Sequence, residues 1–346
     1  MAASEGPSGA WPTSWGEPSH ASLPKRPPVA FMERKTASGR PHRVAYFLYQ
    51  PESASRLPVI CAHGLTRNSF DFHWLAERLR RLGHPVACYD APGRAASEPM
   101  QDASEYSYPE YGPIGSELAA HLGWPRLHWV GTSMGGIVGM LVASSAPSVA
   151  LASLVLVDIG PEIDVAPVRR IVSYVGRAPE GGLPVGLAGA EAFVEATFPG
   201  MLPVPGGARL RQCAAYLTRP TAGAEAEVEA GEAAGFPRTA ADEDDGAARC
   251  PNYDCRVRAG LPAEKDVAAM DLWAVWAGCR CGRVTVLRGA ESDVLTVGCA
   301  ERMAVEVPAG VESARVEVTT FSGVGHAPTL WSEEQEDAVV AALAEA

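Results

Sequence analysis

Ten consecutive residues constrain this chain more than any others: Leu127-His128-Trp129-Val130-Gly131-Thr132-Ser133-Met134-Gly135-Gly136. The mostly apolar run Leu127–Val130 reads as a buried strand, and Ile137, Val138, Met140, Leu141 and Val142 read as a helix with few breakers. A strand can turn into a helix through Gly-x-Ser-x-Gly only where both flanking positions lack a Cβ. The serine is then held in a strained backbone conformation that lifts its hydroxyl above the sheet edge. The helix N-terminus points at that hydroxyl and favours negative charge forming there. With 35 glycines in 346 residues the bare pattern could arise as a structural turn. Its place between a strand and a helix favours a nucleophile, provided partners exist elsewhere in the chain.

The length suits one large α/β domain carrying an insertion. A net charge of -12 argues against a nucleic-acid partner, which would demand a basic face. No apolar run is long enough to span a bilayer, and residues 1–28 lack the pattern of a secretory signal. Rich in Pro, Gly and Ser, that stretch reads as a disordered tail. The eight cysteines do not follow paired C-x2-C spacing, so free thiols and a cytoplasmic setting are the expectation, with no metal.

Two extended segments around Thr36–Arg40 predict a β-hairpin. The run Pro58–Ala62 is a short strand ending at His63-Gly64-Leu65. An amphipathic helix with Phe72, Leu75, Leu79 and Leu82 on one face follows it. Pro85–Tyr89 is the next strand, residues 110–123 the next helix, and Leu151–Val157 the strand after the serine helix. Such alternation builds a parallel sheet covered on both faces. It stops for about a hundred residues and resumes with the strand Arg283–Leu287, a helix near 297–306, the strand Arg315–Phe321 and a closing helix over 332–345. Residues 162–275 therefore read as an insertion, between core segments 29–161 and 276–346. Its stretch 221–246 carries eight acids against one base and reads as a solvated loop.

A serine needs a base to take its proton and an acid to orient that base. His326, in Ser322-Gly323-Val324-Gly325-His326-Ala327-Pro328, follows the last strand and is the one histidine C-terminal to Ser133. Three acids follow neighbouring strands: Asp293, Glu291 and Asp158. Their placement in the sequence does not decide among them. The backbone N–H of Met134, at the helix start, is one donor for an oxyanion, and Leu65, after the third strand, supplies the second. His63 reads as structural. Phe193, Phe198, Met201, Leu202, Trp273 and Trp276 are candidates for a substrate pocket.

These pieces, with Asp90-x-x-Gly93-Arg94-x-x-Ser97, Leu287-Arg288-Gly289-x-x-Ser292-Asp293 and Gly325-His326-Ala327-Pro328, resemble the α/β-hydrolase family. The likeness is to its capped bacterial meta-cleavage-product hydrolases and carboxylesterases, and it spans residues 30–346. The resemblance implies a mostly parallel, eight-stranded sheet flanked by helices, with an inserted helical cap between the strands ending at Asp158 and beginning at Arg283. It favours Asp293 as the acid of a Ser133-Asp293-His326 triad. It also implies hydrolysis of a small-molecule ester through an acyl-enzyme without a cofactor. A C–C bond hydrolase and a ligand receptor that does not turn over are the rival readings. Ala95 departs from the family, standing where a second glycine is usual in the turn after Asp90.

Overall fold

The computed structural model describes residues 26–177, 185–197, 214, 217–220 and 249–344. Strands β1 (Val29–Lys35) and β2 (Pro41–Tyr49) form the expected antiparallel hairpin. The strands β3 (Val59–Ala62), β4 (Val86–Tyr89), β5 (Arg126–Thr132), β6 (Ala150–Val157) and β11 (Arg280–Gly289) follow in the same sheet. Its order is β1-β2-β4-β3-β5-β6-β11, and all pairings from β4 onward are parallel. On the outer edge of β11, the two-residue β12 (Gly310–Val311) and β13 (Val316–Phe321) pair with successive parts of that strand. They share one edge position, so nine strand segments fill the eight positions expected.

The strands carry near-continuous apolar runs because both faces are covered. Side chains alternate between two cores with the period of a strand. Ile60, Ala62, Trp129, Leu154, Leu156, Val284 and Val286 face one core, built with α2 (Tyr108–His121), α3 (Met134–Ser145) and residues 297–305. Val59, Cys61, Val130, Val155, Val157 and Leu287 face the other, covered by α1 (His73–Arg81) and residues 333–342. Cys61 and Cys88 lie opposite each other on β3 and β4 as buried free thiols. Burial, with Cys88 alongside, pushes the Cys61 thiol well up.

Between β6 and β11 the described residues form the pair β7 (Glu162–Ile163) and β10 (Met270–Asp271), helices α4 (Val165–Tyr174) and α5 (Gly186–Thr197), and the pair β8 (Thr218–Pro220) and β9 (Arg249–Pro251). Two attachments bind this stretch to the sheet domain. Ala190 and Val194 of α5 pack with Phe70, Trp74 and Trp331. At the second, Asp254 N–H donates to Gly93 O at 2.7 Å and Ala95 N–H to Asn252 O at 3.1 Å. Ala95 adopts φ +41°, so the turn keeps the left-handed conformation that a glycine would take there, at a cost of roughly 1 kcal/mol.

The acidic stretch 221–246 and the tail up to residue 25 lie outside the described residues. The last part of the expected tail is held: the Arg26 guanidinium lies 3.6 Å over the Phe47 ring and donates to Ser69 Oγ at 2.7 Å. No helix among the described residues is long and apolar enough to cross a membrane.

Candidate active site

Ser133 stands between β5 and α3 with φ +50° and ψ -115°. Glycine is obligatory on either side of it. A Cβ at Gly131 would lie 2.3 Å from the Gly135 carbonyl oxygen, and one at Gly135 only 2.0 Å from that of Ala62. The strain is held by Ser133 N–H donating to Val157 O at 3.0 Å, while Ser133 O accepts from Gly136 and Ile137 as the helix begins.

His326 extends from the loop after β13, and its Nε2 lies 3.0 Å from Ser133 Oγ. That loop crosses β11 at its last residue, where a Cβ on Gly289 would come within 2.4 Å of Gly325 O. The other ring nitrogen, Nδ1, lies 2.7 Å from Asp158 Oδ2. A carboxylate only accepts, so Nδ1 carries the proton and Nε2 is left to accept from the serine.

The acid against His326 is thus Asp158, and the expectation for Asp293 is corrected. Asp158 ends β6, the strand between the serine strand and β11, and is fully buried with φ +54°. Its Oδ1 accepts from Gly289 N–H at 2.9 Å, and Oδ2 also accepts from the Ser292 hydroxyl. The turn after β11 sends Ser292 inward, where its Oγ also accepts from the Val294 and Leu295 amides. Asp293, one residue on, consequently faces outward and makes a two-pronged ion pair with Arg170 of α4 at 2.7 and 3.0 Å. Both side chains of that pair are about half exposed (48% and 50%). Glu291 is exposed as well.

Gly64 passes over the serine: a Cβ on it would lie 3.8 Å from that of Ser133. The Gly64–Leu65 peptide is held by His63, whose Nδ1 is 2.7 Å from Gly64 O. Ala91 N–H donates to His63 Nε2 at 2.9 Å, which fixes the tautomer: Nδ1 donates and the ring is neutral. Burial, helped by Arg94 and Arg67, drives the His63 pKa down to about 3. His63 is therefore a strut for the peptide carrying the Leu65 N–H. As the first residue of α3, Met134 carries an amide with no intrahelical partner.

His128 is also buried and neutral, bonded through Nδ1 to Ser153 Oγ at 2.6 Å. Burial lowers its pKa to about 4, with His84, Arg126 and Arg283 adding to the shift. Above the unfolded value of about 6.5, His63 and His128 are neutral whether folded or not. Below it the unfolded chain binds protons that the folded chain refuses. Stability is then lost as pH falls from about 6.5 toward 4 and 3, on the order of 1 kcal/mol per pH unit for each histidine. Denaturant unfolding between pH 7 and pH 4.5 should show this slope, and His128→Asn should flatten it by about one proton. An equal slope in the variant would contradict the assignment.

The pocket candidates fare unevenly. Phe193, half-buried on α5, packs against the Phe70, Trp74 and Trp331 cluster. Phe198, Met201 and Leu202 lie outside the described residues. Trp273 and Trp276 belong to α6 (Trp273–Ala277), and Trp276 is corrected. Trp276 is buried in the core, donates to Glu306 O at 2.7 Å, and sits beside the far end of α3, where Gly278 approaches Ser144. Eleven residues of helix, about 16 Å, separate that end from Ser133. Trp273 donates to Glu162 at 2.9 Å, and the Arg302 guanidinium covers its ring at 3.7 Å. Asp158 stands among the three acids the sequence offers, whereas nothing in the sequence assigns Ser292 a role. The abrupt end of an eight-residue buried strand at Asp158-Ile159-Gly160 was the available signal for the first.

A model of the α/β-hydrolase fold matches residues 58–180. The 3-hydroxybutyrate-oligomer hydrolase of Cupriavidus necator is 32% identical over 307 residues, covering 88% of this chain and 93% of the relative. The chain belongs to the α/β-hydrolase family. Among solved structures, an α/β hydrolase from Novosphingobium aromaticivorans is similar at TM-score 0.69 and 26% identity, over 92% of this chain and 99% of that one. A hydrolase structure from Rickettsia typhi shares the fold at TM-score 0.73 and 23% identity, over 90% and 97% of the two chains.

Proposed function

We propose that this α/β hydrolase is a serine esterase. The observation carrying the reading is the continuous path from Ser133 Oγ to His326 Nε2 at 3.0 Å and from His326 Nδ1 to Asp158 at 2.7 Å. Ser133 attacks the carbonyl carbon of an ester as His326 Nε2 takes its proton, with Asp158 holding the tautomer and balancing the imidazolium. The Leu65 and Met134 amides receive the oxyanion. Collapse of the tetrahedral intermediate expels the alkoxide, which takes the proton from His326. Water then attacks the acyl-enzyme with His326 again as base, releasing the acid and restoring Ser133.

The substrate class we favour is a short oligoester of a 3-hydroxy acid. The name of the Cupriavidus necator relative supports it, since the likeness extends over nearly the whole of both chains. It also favours ester over C–C cleavage. The stretch between β6 and β11, docked on Phe70, Trp74 and Trp331, would act as the cap that shapes the pocket.

Purified protein should hydrolyse p-nitrophenyl butyrate and release 3-hydroxybutyrate from its linear dimer and trimer, and a fluorophosphonate should label Ser133. Turnover of the p-nitrophenyl ester alone would keep the esterase and remove the oligoester. Neither turnover nor labelling by folded protein would favour the receptor reading instead.

A further inference from the structure

Arg94 is fully buried, and buried arginines here are held in two ways: Arg288, like Arg94, by neutral oxygens (Leu295 O and Ala290 O), Arg34 and Arg67 by carboxylates. Arg34 meets Glu110 and Glu117 at 3.1 and 2.6 Å, and Arg67 meets Asp71 at 2.6 Å. Arg94 has no carboxylate among the described residues. Its Nε donates to Leu65 O at 3.0 Å, and Nη1 donates to Pro92 O at 2.7 Å and to Tyr111 Oη at 2.9 Å. Nη2 lies 3.9 Å from Met134 Sδ, and the rings of Tyr111 and Tyr106 stand 5.2 and 5.8 Å from the guanidinium carbon. Neutral oxygens and ring faces solvate this cation, but they leave its charge uncancelled. Removing a cation from water without a counter-charge costs several kcal/mol, so such a group persists where something else offsets the cost.

Two of its contacts are with Leu65 and Met134, the residues whose amides the esterase reading assigns to the oxyanion. Bonded to Leu65 O, Arg94 fixes the peptide after Leu65, as His63 fixes the one before it. Its charge is buried against both residues, in a dry environment where a fixed positive potential acts over longer range than in water.

We propose that Arg94 is a positioning residue for the oxyanion: it clamps Leu65 from behind and presents an unpaired positive charge that the tetrahedral intermediate, and not the neutral ester, balances. This rests on the serine-esterase reading above. An interaction felt only by the charged intermediate lowers kcat and leaves ester binding alone.

The test compares wild type, R94M and R94K on p-nitrophenyl butyrate, with two inhibitors. Butylboronic acid forms an O–B bond with Ser133 as the hydroxyl proton passes to His326, giving a four-coordinate borate anion. N-Methylbutyramide is its neutral counterpart. Arg94→Met should lower kcat and boronate affinity together by about 30-fold or more, with KM and amide affinity within about threefold. Arg94→Lys, keeping the charge, should recover at least tenfold of both. Equal loss of boronate and amide binding, unchanged boronate affinity, or no recovery by lysine would each overturn the proposal. Should R94M not fold, the uncharged R94Q takes its place and is read by the same criteria against R94K. A wild-type protein inert to ester and fluorophosphonate alike would instead remove the underlying esterase reading.

Discussion

Asp158→Asn is expected to lower kcat/KM for ester hydrolysis by about 10⁴-fold, while Asp293→Asn stays within about threefold of wild type. Asparagine at position 158 keeps the shape, but with its carbonyl held by the Gly289 N–H its NH2 takes the place of Oδ2 and faces His326 Nδ1 and the Ser292 hydroxyl as a donor. The imidazole would be driven toward the tautomer with its proton on Nε2, where it cannot accept from Ser133. A neutral amide also gives no balance to the imidazolium that forms as the serine attacks. By contrast, Asp293 loses only a half-exposed ion pair with Arg170, and such pairs contribute about 0–1 kcal/mol. Steady-state kinetics of the two variants side by side decide between the acids. A large loss in D293N with an active D158N would reverse the assignment.

Ser133→Ala should abolish fluorophosphonate labelling and lower kcat by about 10⁴-fold or more, with the ester still bound. The substitution removes the attacking oxygen yet leaves the Leu65 and Met134 amides in place, so the residue of activity would come from binding and the oxyanion site. Folding should survive, because the Ser133 backbone, not its hydroxyl, holds the elbow through Val157 O, Gly136 and Ile137. Alanine must take φ +50° there, as serine already does, so the thermal midpoint should barely move. Retained labelling in S133A would place the nucleophile elsewhere.

Features written in local physics were legible before any coordinates. Alternation between Ile60 and Cys61, or Leu154 and Val155, marks strands buried on two faces. Gly131 and Gly135 mark a turn tight enough to exclude a Cβ, and Gly323 and Gly325 mark the loop that carries His326. Each of these depends on neighbours a few residues away, and the chain order of strands and helices then leaves few sheet topologies. The Gly-Ser-Gly elbow and the histidine loop were therefore readable as a pair, although 193 residues separate Ser133 from His326.

The identity of the acid was not local. Asp158 and Asp293 both follow strands, and the family pattern pointed to the second. Two facts of tertiary structure reverse it. The sheet order sets β6 next to the serine strand and the His326 loop above the ends of β6 and β11. The turn after β11 rotates Ser292 inward and Asp293 to solvent, a difference of one position that no spacing rule registers. Trp276 illustrates the same limit, since its apolar character announces burial but not the surface against which it is buried. Sequence by itself determined the elements, the elbow and the loop that carries His326, because backbone sterics and periodicity act over a few residues. Only the folded sheet decided which carboxylate meets His326 and which arginine contacts Leu65 and Met134, because those pairings join residues far apart in the chain.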